Sequence, residues 1–583
     1  MSEGENMSRE EHELDAMERR AIDAWIAEDD DVVAPSFVDR VMAAEESSSR
    51  MLFPVAEIEA PAPPPSRGAG AGWRMAAAML GASGFAAIVA FALHQSGPVE
   101  HGEEIAVAES WASYVEPDEL GRPGLRADGT PGAPIPDDLA DQIESYIADY
   151  GRDWGPAFKF HGSIVVARDG EVKFAKGFGY ADPATQRPNE PTTRYRLGML
   201  TEQFTAVAIL QLRDDGILDL DDPISRFLPN YPRGAEITVE QLLTHTSGIP
   251  NYTALQDFES WKDQRHTTDE MIARFSQLPL EFDPGTGFSP SNSGYFLLGA
   301  IVERVSGTSY GDYVQKNVFA PAGMTSSTYG DAYATGQQAR GHVWNDEEIL
   351  DPPEPIDMSA FGGAGGLVST PMDLVKWDKA LYEGTLVHGS SVEELLTPNE
   401  VGYGYGWVVS EGYGQQVVSF PGAIDGFNGS VMRFTEDRTL VVVLCNTEVV
   451  PGARVAQDVA MMVYGDEPPR RVEQHEVQIA PRTFGRYVGA YGLTDQTRER
   501  YTTVLDPERF SMLERVYVQR LGDRLYFQVP GHNLTWMHPM GGGKFFFKDH
   551  SGNRVSFQIG KDDRATTMTV HYKDAELVLW RLD

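Results

Sequence analysis

Cysteine is almost absent from this chain. The only one, Cys445 in the run LVVVLCNTE, excludes an internal disulfide and any cysteine-rich metal site. Set among β-type apolar residues, it reads as a small core residue. The thirteen histidines include no H-x-H or H-E-x-x-H spacing, so neither a metal nor another cofactor is expected. Positive charge is also scarce, with 48 Lys and Arg against 87 Asp and Glu and a formal net charge of −39. Phosphate backbones would repel such a chain, which argues against a nucleic-acid partner. Its acidity is read as a soluble, self-repelling surface. Apolar residues are not in short supply: 583 residues at 41% hydrophobic leave room for more than one domain and exclude wholesale disorder.

Long uncharged runs are rare as well, and the one that stands out divides the chain. Residues 75–93, MAAAMLGASGFAAIVAFAL, carry no charge and match the length of a bilayer core. A buried soluble helix is the alternative; a cleaved signal peptide fits less well, since the run lies far from Met1. Arg67 and Arg74 precede it, and no Lys or Arg follows until Arg122. By the positive-inside rule the N-terminus is cytoplasmic and the remainder external, as in a single-pass protein of a bacterial inner membrane. The expected order is an acidic cytoplasmic tail with a Pro/Gly linker (1–74), a transmembrane helix (75–94) and an external linker (95–135).

Two globular parts follow, at 136–466 and 475–583. In the first, DDLADQIESYIADYG predicts a helix, and GSIVVARDGEVKFAKGFGYAD a hairpin turning at Asp169-Gly170. RYRLGMLTEQFTAVAILQL opens a buried helix that Gly216 is placed to stop. More helices follow, and then GYGWVV, QQVVSF, GSVMRF and TLVVVLCN alternate with turns as antiparallel strands do. A hairpin, then helices, then strands predicts an α+β domain whose sheet joins both ends of the segment. Short β runs fill the second part, which is expected to form a small all-β barrel or sandwich.

The sequence blocks YRLGMLTEQFTAVAILQLRDDGILDLDDPISRFLPNYP, ITVEQLLTHTSGIPNY, SNSGYFLLGAIVERVSG, GGAGGLVSTPMDLVKW and GYGYGWVV occur in this order. Together they resemble the serine β-lactamase and penicillin-binding-protein superfamily, and most of all its class C-like branch of esterases and D-amino-acid peptidases. The resemblance implies a β-lactamase/transpeptidase-like fold, an antiparallel sheet flanked by helices, with a small β-domain appended.

It also implies three site motifs, each of which is altered here. At the S-x-x-K position stand Met199 and Glu202: a thioether has no proton to lose, and an acid replaces the assisting cation. At Y-x-N stand Pro290, Ser291 and Asn292, so the tyrosine is lost and the amide kept. At K-T-G or H-x-G stand Phe420, Pro421 and Gly422, followed by Ala423, whose backbone N–H matches the family's oxyanion donor. No lysine has a serine three residues before it, so no other S-x-x-K exists in the chain.

Glu202 is read as a first-turn carboxylate favoured by the helix dipole, ahead of a general base. Phe420 is read as apolar filling and His245 as structural, without an evident partner. Asn292 is either a retained substrate contact or a loop-stabilising amide. Ser289, Ser291 and Ser369 are the candidates for a relocated nucleophile. The leading expectation is a catalytically inactive family member that binds a peptidoglycan fragment, a peptide or a protein; the alternative is a serine hydrolase acting through another serine.

Overall fold

The computed structural model describes residues 132 and 134–582, apart from 152–157, 256, 332–335, 345–349, 449, 469–474, 495–514, 530–534, 549–552 and 573–574. The expected tail, the transmembrane run at 75–94 and nearly all of the 95–135 linker lie outside these residues. Among the described residues no helix is long and apolar enough to cross a membrane.

An antiparallel sheet draws its strands from both ends of one segment. Strands β1 (Gly162–Arg168) and β2 (Glu171–Phe178) form the early hairpin; β3 (Val408–Gly412), β4 (Gln415–Ile424), β5 (Phe427–Phe434) and β6 (Thr439–Cys445) arrive more than two hundred residues later. Their spatial order is β3-β4-β5-β6-β1-β2, and β1 pairs with β6 from Gly162 against Cys445 to Arg168 against Thr439. The hairpin turns where Asp169 and Gly170 adopt φ of 52° and 74°, the paired left-handed conformation that a two-residue turn demands.

Strand β1 is buried on both faces, because helices cover both sides of the sheet. On one side Ile164 and Val166 pack with α1 (Leu139–Asp149) and α5 (Gly452–Val463). On the other, Val165 and Ala167 join the core around α2 (Glu202–Asp214), α3 (Asn292–Ser306) and α4 (Pro371–Tyr382). Helix α2 is buried on almost every side from Glu202 to Leu212 and stops as expected, with Gly216 at φ 69°. Cys445 is a buried free thiol, pushed up by burial and suited to packing alone.

The C-terminal part is a closed eight-stranded antiparallel barrel, which decides between the two expected all-β forms. Its strands are β7 (Gly489–Gly492), β8 (Val516–Leu521), β9 (Arg524–Gln528), β10 (Thr535–Gly541), β11 (Lys544–Phe546), β12 (Arg554–Ile559), β13 (Ala565–Tyr572) and β14 (Ala575–Arg581). Pairing of β7 with β14 closes the ring, and inward residues such as Tyr491, Phe545, Met568 and Leu579 fill it.

What positions the cleft is a backbone-to-backbone approach between α2 and β4. A 3-10 turn, Gly198–Thr201, leads into α2, with Gly198 at φ 54°. A methyl group on Gly198 would sit 2.3 Å from the Ala423 carbonyl oxygen, and one on Gly422 would sit 2.4 Å from that of Leu197. Gly198→Ala is therefore expected to lower stability by about 3 kcal/mol, from overpacking together with left-handed strain. Urea unfolding checks this, and an unchanged midpoint would show that the turn can retreat from β4.

Candidate active site cleft

The head of α2 carries Met199 and Glu202, the pair expected at the first motif, and the two face different surroundings. Met199 is partly exposed and packs on the edge of the core. Glu202, one turn on, has a side chain with no exposure at all. Its Oε2 accepts a hydrogen bond from the Tyr403 hydroxyl at 3.2 Å and lies 3.4 Å from His245 Nε2. Its Oε1 is buried without a hydrogen-bond partner among the described residues.

His245 links this carboxylate to the second motif. Its Nδ1 accepts the Ser291 backbone N–H at 3.2 Å, which assigns the ring proton to Nε2. Nε2 also lies 3.0 Å from the Tyr403 hydroxyl. The expectation that His245 lacks a partner is thereby corrected: with φ of 57° it bridges Glu202, Tyr403 and Ser291. The dipole reading of Glu202 is likewise incomplete, since side-chain donors hold the carboxylate.

Tyr403 went unrecognised because it lies in GYGYGWVV, a block that carries no reactive motif. Its approach to α2 depends on Gly406, where a methyl group would lie 2.9 Å from the Gln203 Cα. Aromatic rings close the cluster: Tyr295 and Phe288 pack on His245, and Phe420 packs edge-on against Tyr403 at 6.1 Å. Phe420 is fully buried and does fill space.

The remaining candidates are held in place. Pro290 is buried, and Asn292 donates through Nδ2 to Thr253 Oγ1 at 3.0 Å, a loop-stabilising bond. Ser291 Oγ is buried without a hydrogen-bond partner among the described residues. Ser289 donates its backbone N–H to the His245 carbonyl, and the Ser369 hydroxyl is 2.7 Å from that of Ser327, itself bonded to Asp373. Gly422 and Ala423 press on the Gly198 turn. Thus the structure brings Glu202, Ser291 and Phe420 around His245 and Tyr403, and sets Met199, Gly422 and Ala423 at the neighbouring turn.

Burial pushes the Glu202 carboxyl above the usual carboxylate range, and hydrogen bonds from His245 and Tyr403 offset this only in part. Burial also raises the Tyr403 phenol well above its ordinary value, so it remains a donor. The cluster can hold a proton. The Met199 position offers only a thioether, the Thr201 hydroxyl at the N-cap of α2 is buried and accepts the Leu367 backbone N–H at 3.2 Å, and the imidazole is engaged on both nitrogens.

A family model described as beta-lactamase matches residues 161–464, just over half of the chain. The chain belongs to the beta-lactamase family. It is 27% identical over 447 residues to penicillin-binding protein 4* of Bacillus subtilis (strain 168), covering 72% of this chain and 94% of that protein. Among solved structures, the octameric penicillin-binding protein homologue from Pyrococcus abyssi superposes with a TM-score of 0.52 at 26% identity, over 75% of this chain and 99% of that one. D-amino acid amidase from Ochrobactrum anthropi SV3, complexed with L-phenylalanine amide, gives 0.50 at 25% identity, over 56% and 99%.

The raised Glu202 carboxyl makes a signed prediction. A group whose folded-state pKa lies above its unfolded value stabilises fully at low pH, and that contribution is lost as pH rises through the folded value. Unfolding free energy is expected to fall as pH climbs above the ordinary carboxylate range, and Glu202→Gln to remove that part of the slope. Tyr403→Phe is expected to cost about 1–3 kcal/mol by stripping a buried carboxyl of its donor. Chemical denaturation of each variant across pH measures both effects, and parallel pH profiles for wild type and Glu202→Gln would contradict the first.

Proposed function

We propose that this penicillin-binding-protein-like chain binds a cell-envelope ligand, a peptidoglycan fragment or peptide with D-amino-acid character, without forming an acyl-enzyme in its cleft. The observation that carries this reading is the Glu202 carboxylate, sealed beneath Tyr403 and His245 one turn after Met199. Acyl transfer at this place needs a nucleophile with a removable proton and a group to take it. Here a thioether stands first, and a buried acid with a raised proton affinity stands second. The ligand class is suggested by the relatives, which include penicillin-binding proteins and a D-amino acid amidase. The uncharged run at 75–94 supports anchorage in a bacterial inner membrane, with the lactamase-like part outside and the acidic tail in the cytoplasm.

Ser291 is the best-placed alternative nucleophile in the cleft. Two features count against it: its hydroxyl is buried, and the nearby His245 Nδ1 already accepts the backbone N–H of the same residue.

Full-length protein incubated with a labelled penicillin is expected to keep its unmodified intact mass. Saturable, non-covalent binding of a peptide ending in D-Ala-D-Ala is expected by thermal shift or calorimetry. A stoichiometric penicilloyl adduct on a cleft serine, Ser291 above all, would overturn the inert-cleft reading. Absence of saturable binding to such peptides would overturn the ligand assignment.

A further inference from the structure

Away from the cleft, the outer face of the barrel carries an ordered hydroxyl–imidazole–carboxylate series. Ser556 Oγ lies 2.7 Å from His571 Nε2, and His571 Nδ1 lies 3.1 Å from Glu576 Oε1. Register explains how three adjacent strands bring them together. His571 on β13 faces Glu576 on β14 directly, while Ser556 on β12 faces Thr569, two residues before His571 and on its face of the sheet. His571 is thus the diagonal neighbour of Ser556.

Hydrogen-bond chemistry orders the protons. An ionised carboxylate only accepts, so Nδ1 carries the ring hydrogen toward Glu576, and Nε2 is left to accept the Ser556 hydroxyl proton. This is the arrangement of a nucleophile, its base and the group that orients the base. It is also open to solvent: the His571 side chain is 27% exposed and Glu576 65%. The same register sets Lys544 of β11 directly across from Ser556, and Arg554 of β12 across from His571. Two cationic residues are therefore strand neighbours of Ser556 and His571 on the same face of the sheet.

We propose that Ser556, His571 and Glu576 form a second, surface-borne acyl-transfer site, acting on small carboxylic esters. It goes beyond the cleft reading and does not depend on it. Ser556 Oγ attacks the ester carbonyl carbon while its proton passes to His571 Nε2. The tetrahedral intermediate collapses as the C–O bond to the leaving alcohol breaks, and the alkoxide takes that proton. Water then attacks the acyl carbon and gives a proton to His571, which returns it to Ser556 as the carboxylic acid departs. Glu576 touches no reacting atom; it is a positioning residue that fixes the imidazole tautomer. The His571 and Glu576 side chains reach solvent, so short aryl esters of different acyl shape are expected to react at similar rates.

The full-length protein is treated with a fluorophosphonate, which forms an Oγ–P bond as fluoride leaves and His571 takes the proton, and the adduct is mapped by peptide mass spectrometry. Labelling at Ser556 is expected, lost in S556A and slowed about 100-fold in H571A, within the usual worth of a general base. Hydrolysis of p-nitrophenyl acetate is expected to fall in parallel, at thermal midpoints close to wild type. E576A is expected to slow both by about tenfold through loss of the tautomer, with recovery in E576D, which a merely structural role would not give. An adduct at Ser556 that forms equally fast in H571A would overturn the proposal. So would the absence of any adduct, which leaves the inert cleft standing. An adduct confined to a cleft serine would overturn both readings, and a penicilloyl adduct in the cleft alongside Ser556 phosphonylation would overturn only the first.

Discussion

A carboxyl group taken wholly out of water at the head of α2 sets the terms for the rest of the cleft. Such a group is tolerated only if donors reach it or a proton neutralises it. Tyr403 supplies a donor, His245 supplies a second polar contact, and burial raises the proton affinity of the acid itself. Each of these depends on something further away. Gly406 lets the Tyr403 segment close on α2, the backbone of Ser291 fixes the His245 ring, and Phe288, Tyr295 and Phe420 keep solvent out. Glu202, His245, Ser291, Tyr403 and Phe420 therefore form a mutually supporting set: an acid at position 202 beside a lysine at 420 or a solvated tyrosine at 290 would be a different cleft.

The scaffold around this set is held by close backbone contact. Gly198 and Gly422 still bring the α2 turn against β4 at backbone distance, although Met199 gives that proximity no nucleophile to use. A cleft shaped by backbone contact keeps its form when the side chains at its rim change.

Much of the fold was legible in the sequence for physical reasons. Asp169-Gly170 announces its turn because few residue pairs tolerate two left-handed positions in succession, and the four late strands are short β-type runs set off from one another by turn residues. Glu202 was recognised as out of place by its position in a motif. Its partners were not, because His245 and Tyr403 lie 43 and 201 residues away and sequence carries no signal for such closures. The series Ser556–His571–Glu576 was invisible for the same reason: it exists only through strand register, and each member alone resembles an ordinary outward-facing polar residue. The choice between barrel and sandwich likewise rests on one pairing, β7 with β14, that local pattern cannot reveal.

Closure of the barrel has a consequence for how the chain meets other chains. A ring of strands offers no open ladder of backbone donors and acceptors, whereas the six-stranded sheet ends at β2 and β3. Near its start, β2 presents Glu171 and Lys173 outward, and Lys176 is tied to Glu144 of α1 at 2.6 Å. Charged side chains of this kind discourage an extended segment from lying down beside them. At the other margin the chain covers its own edge, since the Val409 backbone N–H donates to the Gly402 carbonyl at 2.8 Å and Tyr403 bridges Val408, so the segment that carries Tyr403 to Glu202 also blunts β3 against an added strand.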